Sequence, residues 1–166
     1  MYRIAEFRKV SRERYLSDAS EVTCEAQASE AYEKIKMPAR ATRGSAGYDF
    51  YAPYDFALAP GETVKIPTGI RALMDDGWVL MLYPRSGLGY KYRVMLNNTT
   101  GIIDSDYCYS DNEGHIFIKL YNGGDKRMEV KEGAAFVQGV FLPYGITKDD
   151  DVTAIRNGGF GSTSRR

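Results

Sequence analysis

The chain has 166 residues, enough for one domain with a substantial core, and 43% of them are hydrophobic, as in globular proteins. Lys plus Arg and Asp plus Glu both number 22, so no net basic field draws the chain to nucleic acid or to an anionic membrane. One histidine and two distant cysteines argue against a multi-histidine metal centre, a Ser-His-Asp triad, a zinc site or a disulfide framework.

The N-terminus, Met1-Tyr2-Arg3-Ile4-Ala5-Glu6, has no apolar signal segment, and no run of the chain approaches membrane-spanning length. The expectation is a reduced cytoplasmic protein with Cys24 and Cys108 as free thiols. Residues 2–10 read as a strand. Residues 11–18 read as a short helix with Ser11 as N-cap. Residues 21–33, rich in Ala and Glu, read equally as helix or surface loop. Short aliphatic and aromatic runs then predict strands at 63–66, 78–83, 94–96, 115–121, 128–130 and 135–142. Between them Ala59-Pro60-Gly61-Glu62, Asp75-Asp76-Gly77, Asn122-Gly123-Gly124-Asp125 and Lys131-Glu132-Gly133 are turn signals, because Gly accepts positive φ and Asn and Asp bond to their own backbone. His115 follows Glu113-Gly114 at a turn-to-strand boundary and reads as a surface residue. From Arg156 onward there is no apolar periodicity. Short strands with frequent turns imply an all-β sandwich, barrel or jelly roll in a single domain, residues 1–166.

Five segments carry chemistry. The tail Arg156-Asn157-Gly158-Gly159-Phe160-Gly161-Ser162-Thr163 can aim several backbone N–H groups at one anion, with Arg156 as a two-pronged cation, hydroxyls on Ser162 and Thr163, and the Phe160 ring free to stack on a base. Taken alone it is equally a glycine-rich terminus. It is not a P-loop, since Gly-x-x-x-x-Gly-Lys-Ser/Thr is absent from the sequence. Pro84-Arg85-Ser86-Gly87-Leu88-Gly89 reads as a turn whose Arg85 and Ser86 suit phosphate oxygens, or as a plain hairpin turn. In residues 98–107, Thr100-Gly101 reads as the turn of a hairpin between 94–96 and Ile102-Ile103, with Asn98 and the backbone able to read a pyrimidine edge. Asp104, after two apolar residues, suits a partly buried general base, and Tyr107 suits a sugar. The plainer reading makes Asp104 and Asp106 caps and Tyr107 core. Ser45-Ala46-Gly47-Tyr48-Asp49-Phe50 and Gly133-Ala134-Ala135-Phe136-Val137-Gln138 are weak signals singly.

In order and spacing, the five segments together resemble the dUTPase family of trimeric all-β pyrophosphatases, over a stretch from about Ile35 to Thr163. The resemblance implies a jelly-roll-like β barrel assembled as a homotrimer. It also implies active sites shared between subunits, with a C-terminal arm (156–166) closing over a neighbour. The implied reaction converts dUTP to dUMP and pyrophosphate, keeping uracil out of DNA and supplying dUMP for thymidylate synthesis. Asp104 would activate the water that attacks the α-phosphorus. Tyr107 would stack under the deoxyribose and leave no room for a 2'-hydroxyl, while Asn98, Gly101 and Ile103 would meet uracil. Arg85, Ser86, Gly87 and Gln138 would hold phosphates or the water. Arg156, Phe160, Gly161, Ser162 and Thr163 would close over the nucleotide. Asp49 would support the sugar and the water shell of Mg²⁺, which would ride on the triphosphate with no direct protein ligand. Three features depart from the family pattern: Ala134-Ala135 where an acidic–basic pair is usual, an insertion at Cys108-Tyr109-Ser110-Asp111-Asn112-Glu113, and an N-terminal extension over 1–33. Two rival readings stand beside this one. The first is a dCTP deaminase or pyrophosphatase of the same fold, which the complete arm disfavours. The second is a nucleotide-gated binding module, which retention of Asp104, Arg85, Ser86 and the arm disfavours.

Overall fold

The computed structural model describes residues 2–156 and Gly158. Its N-terminal part is strand β1 (Ala5–Lys9), helix α1 (Arg12–Ala19) and helix α2 (Glu25–Lys34). Ser11 caps α1 as expected: its backbone is extended and its hydroxyl accepts the Arg14 N–H. The open choice over 21–33 resolves to a helix, because Ala28 and Ala31 bury one face of α2 beside Tyr15 and Ala19 of α1. Lys9 and Tyr32 tie strand to helix, through Nζ to the Tyr32 carbonyl (3.0 Å) and the Tyr32 hydroxyl to the Val10 carbonyl (2.9 Å).

The remainder is antiparallel sheet: β2 (Ala39–Arg40), β3 (Tyr48–Tyr51), β4 (Phe56–Leu58), β5 (Thr63–Pro67), β6 (Ile70–Met74), β7 (Trp78–Pro84), β8 (Val94–Leu96), β9 (Gly101–Ile103), β10 (Phe117–Asn122), β11 (Met128–Val130) and β12 (Ala135–Pro143). One sheet runs β2-β3-β12-β7-β9 and a second β5-β10-β8; β1 pairs with β6 and β4 with β11. Period-2 alternation buries Leu80 and Leu82 of β7 and Ile118 and Leu120 of β10. These join Phe50, Ile66, Phe136 and the α1 residues in one hydrophobic cluster, so the N-terminal segment is part of the core. The all-β, jelly-roll-like architecture expected from the sequence is the one observed. No helix among the described residues is long and apolar enough to cross a membrane.

Three local expectations are corrected. The segment after Pro84 is a helix, α3 (Ser86–Tyr92), and not a hairpin turn. Gly87 and Gly89 weaken it intrinsically, but Leu88 and Tyr92, one turn apart, pack against the core and hold it. Secondly, β8 and β9 do not form a hairpin ladder. The turn between them closes with only a Leu96–Thr99 bridge; then β8 pairs with β10 and β9 with β7. The buried Val94 and Leu96 and the approach of Gly101 onto Leu82, where an added Cβ would lie 3.0 Å from the Leu82 side chain, draw the strands to different sheets. Thirdly, His115 is fully buried. Both ring nitrogens are satisfied, Nε2 by the Gly69 N–H (2.8 Å) and Nδ1 by Asp18 Oδ2 (2.7 Å), which removes the penalty of burying them.

Candidate active site

A cleft of about 180 Å³ opens between β9 and the turn before it, lined by Asn98, Gly101, Ile103, Asp104, Tyr107 and Arg156 among others. The β9 ladder on β7 ends at Ile103 and the chain turns into a 3-10 helix (Ser105–Tyr109). Asp104, at the extended position before that helix, makes no capping bond. Its carboxylate, 49% exposed, instead pairs with Arg156 Nη2, while Arg156 Nε pairs with Asp106 Oδ1 at 2.8 Å. The guanidinium carbon also stands 5.9 Å from the Tyr107 ring centroid. One cation therefore offsets two carboxylates at the mouth of the cleft.

Tyr107 belongs both to the buried residues, at 7% exposure, and to the cleft lining. Its hydroxyl donates to the His115 carbonyl (2.9 Å) and accepts from Asn112 Nδ2 (2.9 Å). Burial pushes its phenol above the ordinary value, so it remains a hydrogen-bond donor at neutral pH.

A second cluster gathers Asp49, Arg85, Ser86, Gly87 and Gln138. On β12, a bulge between Ala135 and Val137 resets the register and places Gln138 opposite Asp49 of β3 and Tyr83 of β7. Arg85 Nε lies 3.2 Å from Asp49 Oδ1, and Gln138 Nε2 donates to the Pro84 carbonyl at 3.4 Å. Gly47 stands against Gln138; an added Cβ would meet its Oε1 at 2.6 Å. Ser86 and Gly87 open α3 beside this cluster.

The two clusters do not meet within one chain. Ile103 is opposite Leu80 on β7, and Arg85 lies five residues further along that strand direction. At about 3.3 Å per residue this is roughly 16 Å, with Asp104 one step further away. Phe160, Gly161, Ser162 and Thr163 lie outside the described residues. Sequence reasoning missed Asp18, Asn112 and His115, which support Tyr107 from behind. Asn112-Glu113-Gly114 does carry a turn signal, but nothing local points to Asp18.

A sequence model of the dUTPase family matches residues 33–164. A deoxyuridine 5'-triphosphate nucleotidohydrolase of Lactococcus lactis is 43% identical over 132 residues, 78% of this chain and 88% of that protein. The crystal structure of dUTPase from Streptococcus mutans superposes with a TM-score of 0.63 at 32% identity, covering 86% of this chain and 98% of that one. A mutant dUTPase from phage phi11 of S. aureus, described with a structural Mg(II) ion, shares the fold with a TM-score of 0.64 at 20% identity over 92% of this chain and 98% of that one. With both site clusters in place and the family match spanning most of its length, the chain belongs to the dUTPase family.

Proposed function

We infer that the protein hydrolyses dUTP to dUMP and pyrophosphate. The observation that carries this reading is the convergence of Asp104, Tyr107 and Asn98 on one cleft. In the proposed reaction Asp104 takes a proton from water, whose oxygen bonds to the α-phosphorus. The bond from that phosphorus to the bridging oxygen breaks, and pyrophosphate leaves. Tyr107 lies against the deoxyribose; Asn98 and the backbone at Gly101 and Ile103 meet uracil. Arg85, Ser86, Gly87 and Gln138 hold phosphate oxygens, and Arg156 leaves its carboxylates for the triphosphate as Phe160, Gly161, Ser162 and Thr163 close over it. Mg²⁺ fits as a companion of the substrate: bound, it neutralises phosphate charge, and the carboxylate of Asp49 beside Arg85 offers hard oxygens to its waters.

A homotrimer with shared sites agrees with the separation of the clusters. Within one chain the two clusters line separate places on the sheet, whereas a neighbouring copy can bring its Arg85 cluster to this Asp104. A cytoplasmic setting agrees with the free thiols Cys24 and Cys108.

The test is pyrophosphate release with Mg²⁺ from dUTP, dCTP, dTTP and UTP in parallel. Release from dUTP alone supports the reading. Release mainly from dCTP moves the protein to the sister activity. Tight dUTP binding without release from any nucleotide turns it into a nucleotide-gated binding module. Light scattering checks the assembly, and a stable monomer would remove the shared site.

A further inference from the structure

Tyr107 is held at its far end by a segment that the family pattern does not supply. The insertion contributes Asn112, whose Oδ1 accepts the Gly114 N–H (3.1 Å). That bond fixes the amide so that Nδ2 faces the Tyr107 hydroxyl. The second partner of the hydroxyl is the His115 carbonyl, and His115 is itself pinned on both ring nitrogens. The segment is then anchored to helix α1: Glu113 accepts from Ser11 N (2.8 Å) and Ser11 Oγ (2.6 Å), Arg14 donates to the Asp111 carbonyl (3.3 Å), and Asp18 holds His115. On the core side, Ile116 exchanges backbone hydrogen bonds with Thr68 (3.2 Å) and Ile70 (2.9 Å). The phenol is therefore tied to a fixed frame rather than to a loop.

We propose that Asn112 is a positioning residue for sugar selection. Through the Tyr107 hydroxyl it fixes the tilt of the ring that faces the sugar, so that a 2'-hydroxyl finds no room. The inference rests on the dUTP reading above, in which that ring lies against the deoxyribose and leaves no room for a 2'-hydroxyl. A ring held only at Cβ can rock away from the sugar. A ring held at both ends cannot, and the second hold consists of the two hydrogen bonds to its hydroxyl.

The variants are Asn112→Ser, Tyr107→Phe and the double variant. Serine keeps a short acceptor for the Gly114 N–H but cannot reach the phenol. kcat/KM is measured for dUTP and UTP, and Kd for dUDP and UDP, with melting temperature alongside. The expected result is a roughly fivefold fall in the dUTP-over-UTP ratio for Asn112→Ser, the worth of one net hydrogen bond. Tyr107→Phe should fall at least as far, and the double variant no further than Tyr107→Phe. A ratio within twofold of wild type for Asn112→Ser, or losses that multiply in the double variant, overturns the inference alone. A wild-type protein that binds dUDP selectively without hydrolysing dUTP overturns the catalytic reading, and the dUDP-to-UDP ratios then decide the role of Asn112. A wild-type protein with no preference for dUDP overturns both.

Discussion

Gly114 tests whether the insertion sets the position of Tyr107. Its φ is +71°, in the left-handed region, and a Cβ built there would lie 2.5 Å from Cys108 Cα and 2.8 Å from the Tyr107 carbonyl oxygen. Both are backbone atoms, so no side chain can swing aside. Gly114→Ala therefore has two costs: about 1 kcal/mol for the left-handed conformation and about 2 kcal/mol for overpacking against the 3-10 helix. At about 2–4 °C per kcal/mol for a chain of this size, melting should fall by roughly 10 °C. Gly61→Ala is the internal control, since Gly61 also has positive φ (+82°) but nothing within 4 Å of an added Cβ. It should lose only the conformational share, about 1 kcal/mol. Thermal melts of both variants at one protein concentration, with dUTP turnover measured in parallel, separate the contributions. Turnover should fall in Gly114→Ala and hold in Gly61→Ala. If the two variants melt alike, the contact argument is wrong.

Further outcomes are expected. Asp104→Asn should lower kcat by about 10²–10⁴ while changing dUDP affinity only severalfold, read by steady-state kinetics and calorimetry; equal losses in both would remove Asp104 as the base. Deleting residues 156–166 should cut turnover of dUTP, and unchanged kcat/KM would exclude a closing arm. His115 is the only histidine, and burial holds it below its ordinary value of 6.5 despite the opposing pull of Asp18, with Arg14 and Glu113 also facing it. The unfolded chain therefore binds a proton near pH 6.5 that the folded chain refuses, so stability is complete above that pH and declines as pH falls below it, by up to about 1.4 kcal/mol per pH unit. Denaturant unfolding at pH 7.5, 6.5 and 5.5 should show the decline in wild type, and His115→Gln should lack it over the same range.

Much of this architecture is legible in the sequence, and the reason is local. Val94–Leu96 is a short apolar run followed by a polar turn, Met128–Val130 alternates apolar and charged before the Lys131-Glu132-Gly133 turn, and each forms a strand over those residues. Ser11 announces α1 because capping is a short-range device. Helix α3 is hidden because its two glycines suggest a turn, while what holds it is the packing of Leu88 and Tyr92 against the core, which no local signal shows. His115 is hidden for the same reason: its carboxylate partner is 97 residues away. In the site, Asp104, Tyr107 and Asn98 are readable from one ten-residue stretch and do share a cleft. The distance between that cleft and the Arg85 cluster is a property of the strand pairing, which no motif encodes.

The docking of the insertion on helix α1 bears on how this protein can be rebuilt. Ser11, Arg14 and Asp18 on one side and Asp111, Glu113 and His115 on the other form a complementary pair from segments 97 to 102 residues apart in the sequence. Grafting residues 108–115 alone into a relative would leave Glu113 without Ser11 and His115 without Asp18. Grafting the first thirty-odd residues alone would bury Asp18 without its imidazole. The two segments are one transplantable module, and a chimera that exchanges them should exchange both or neither.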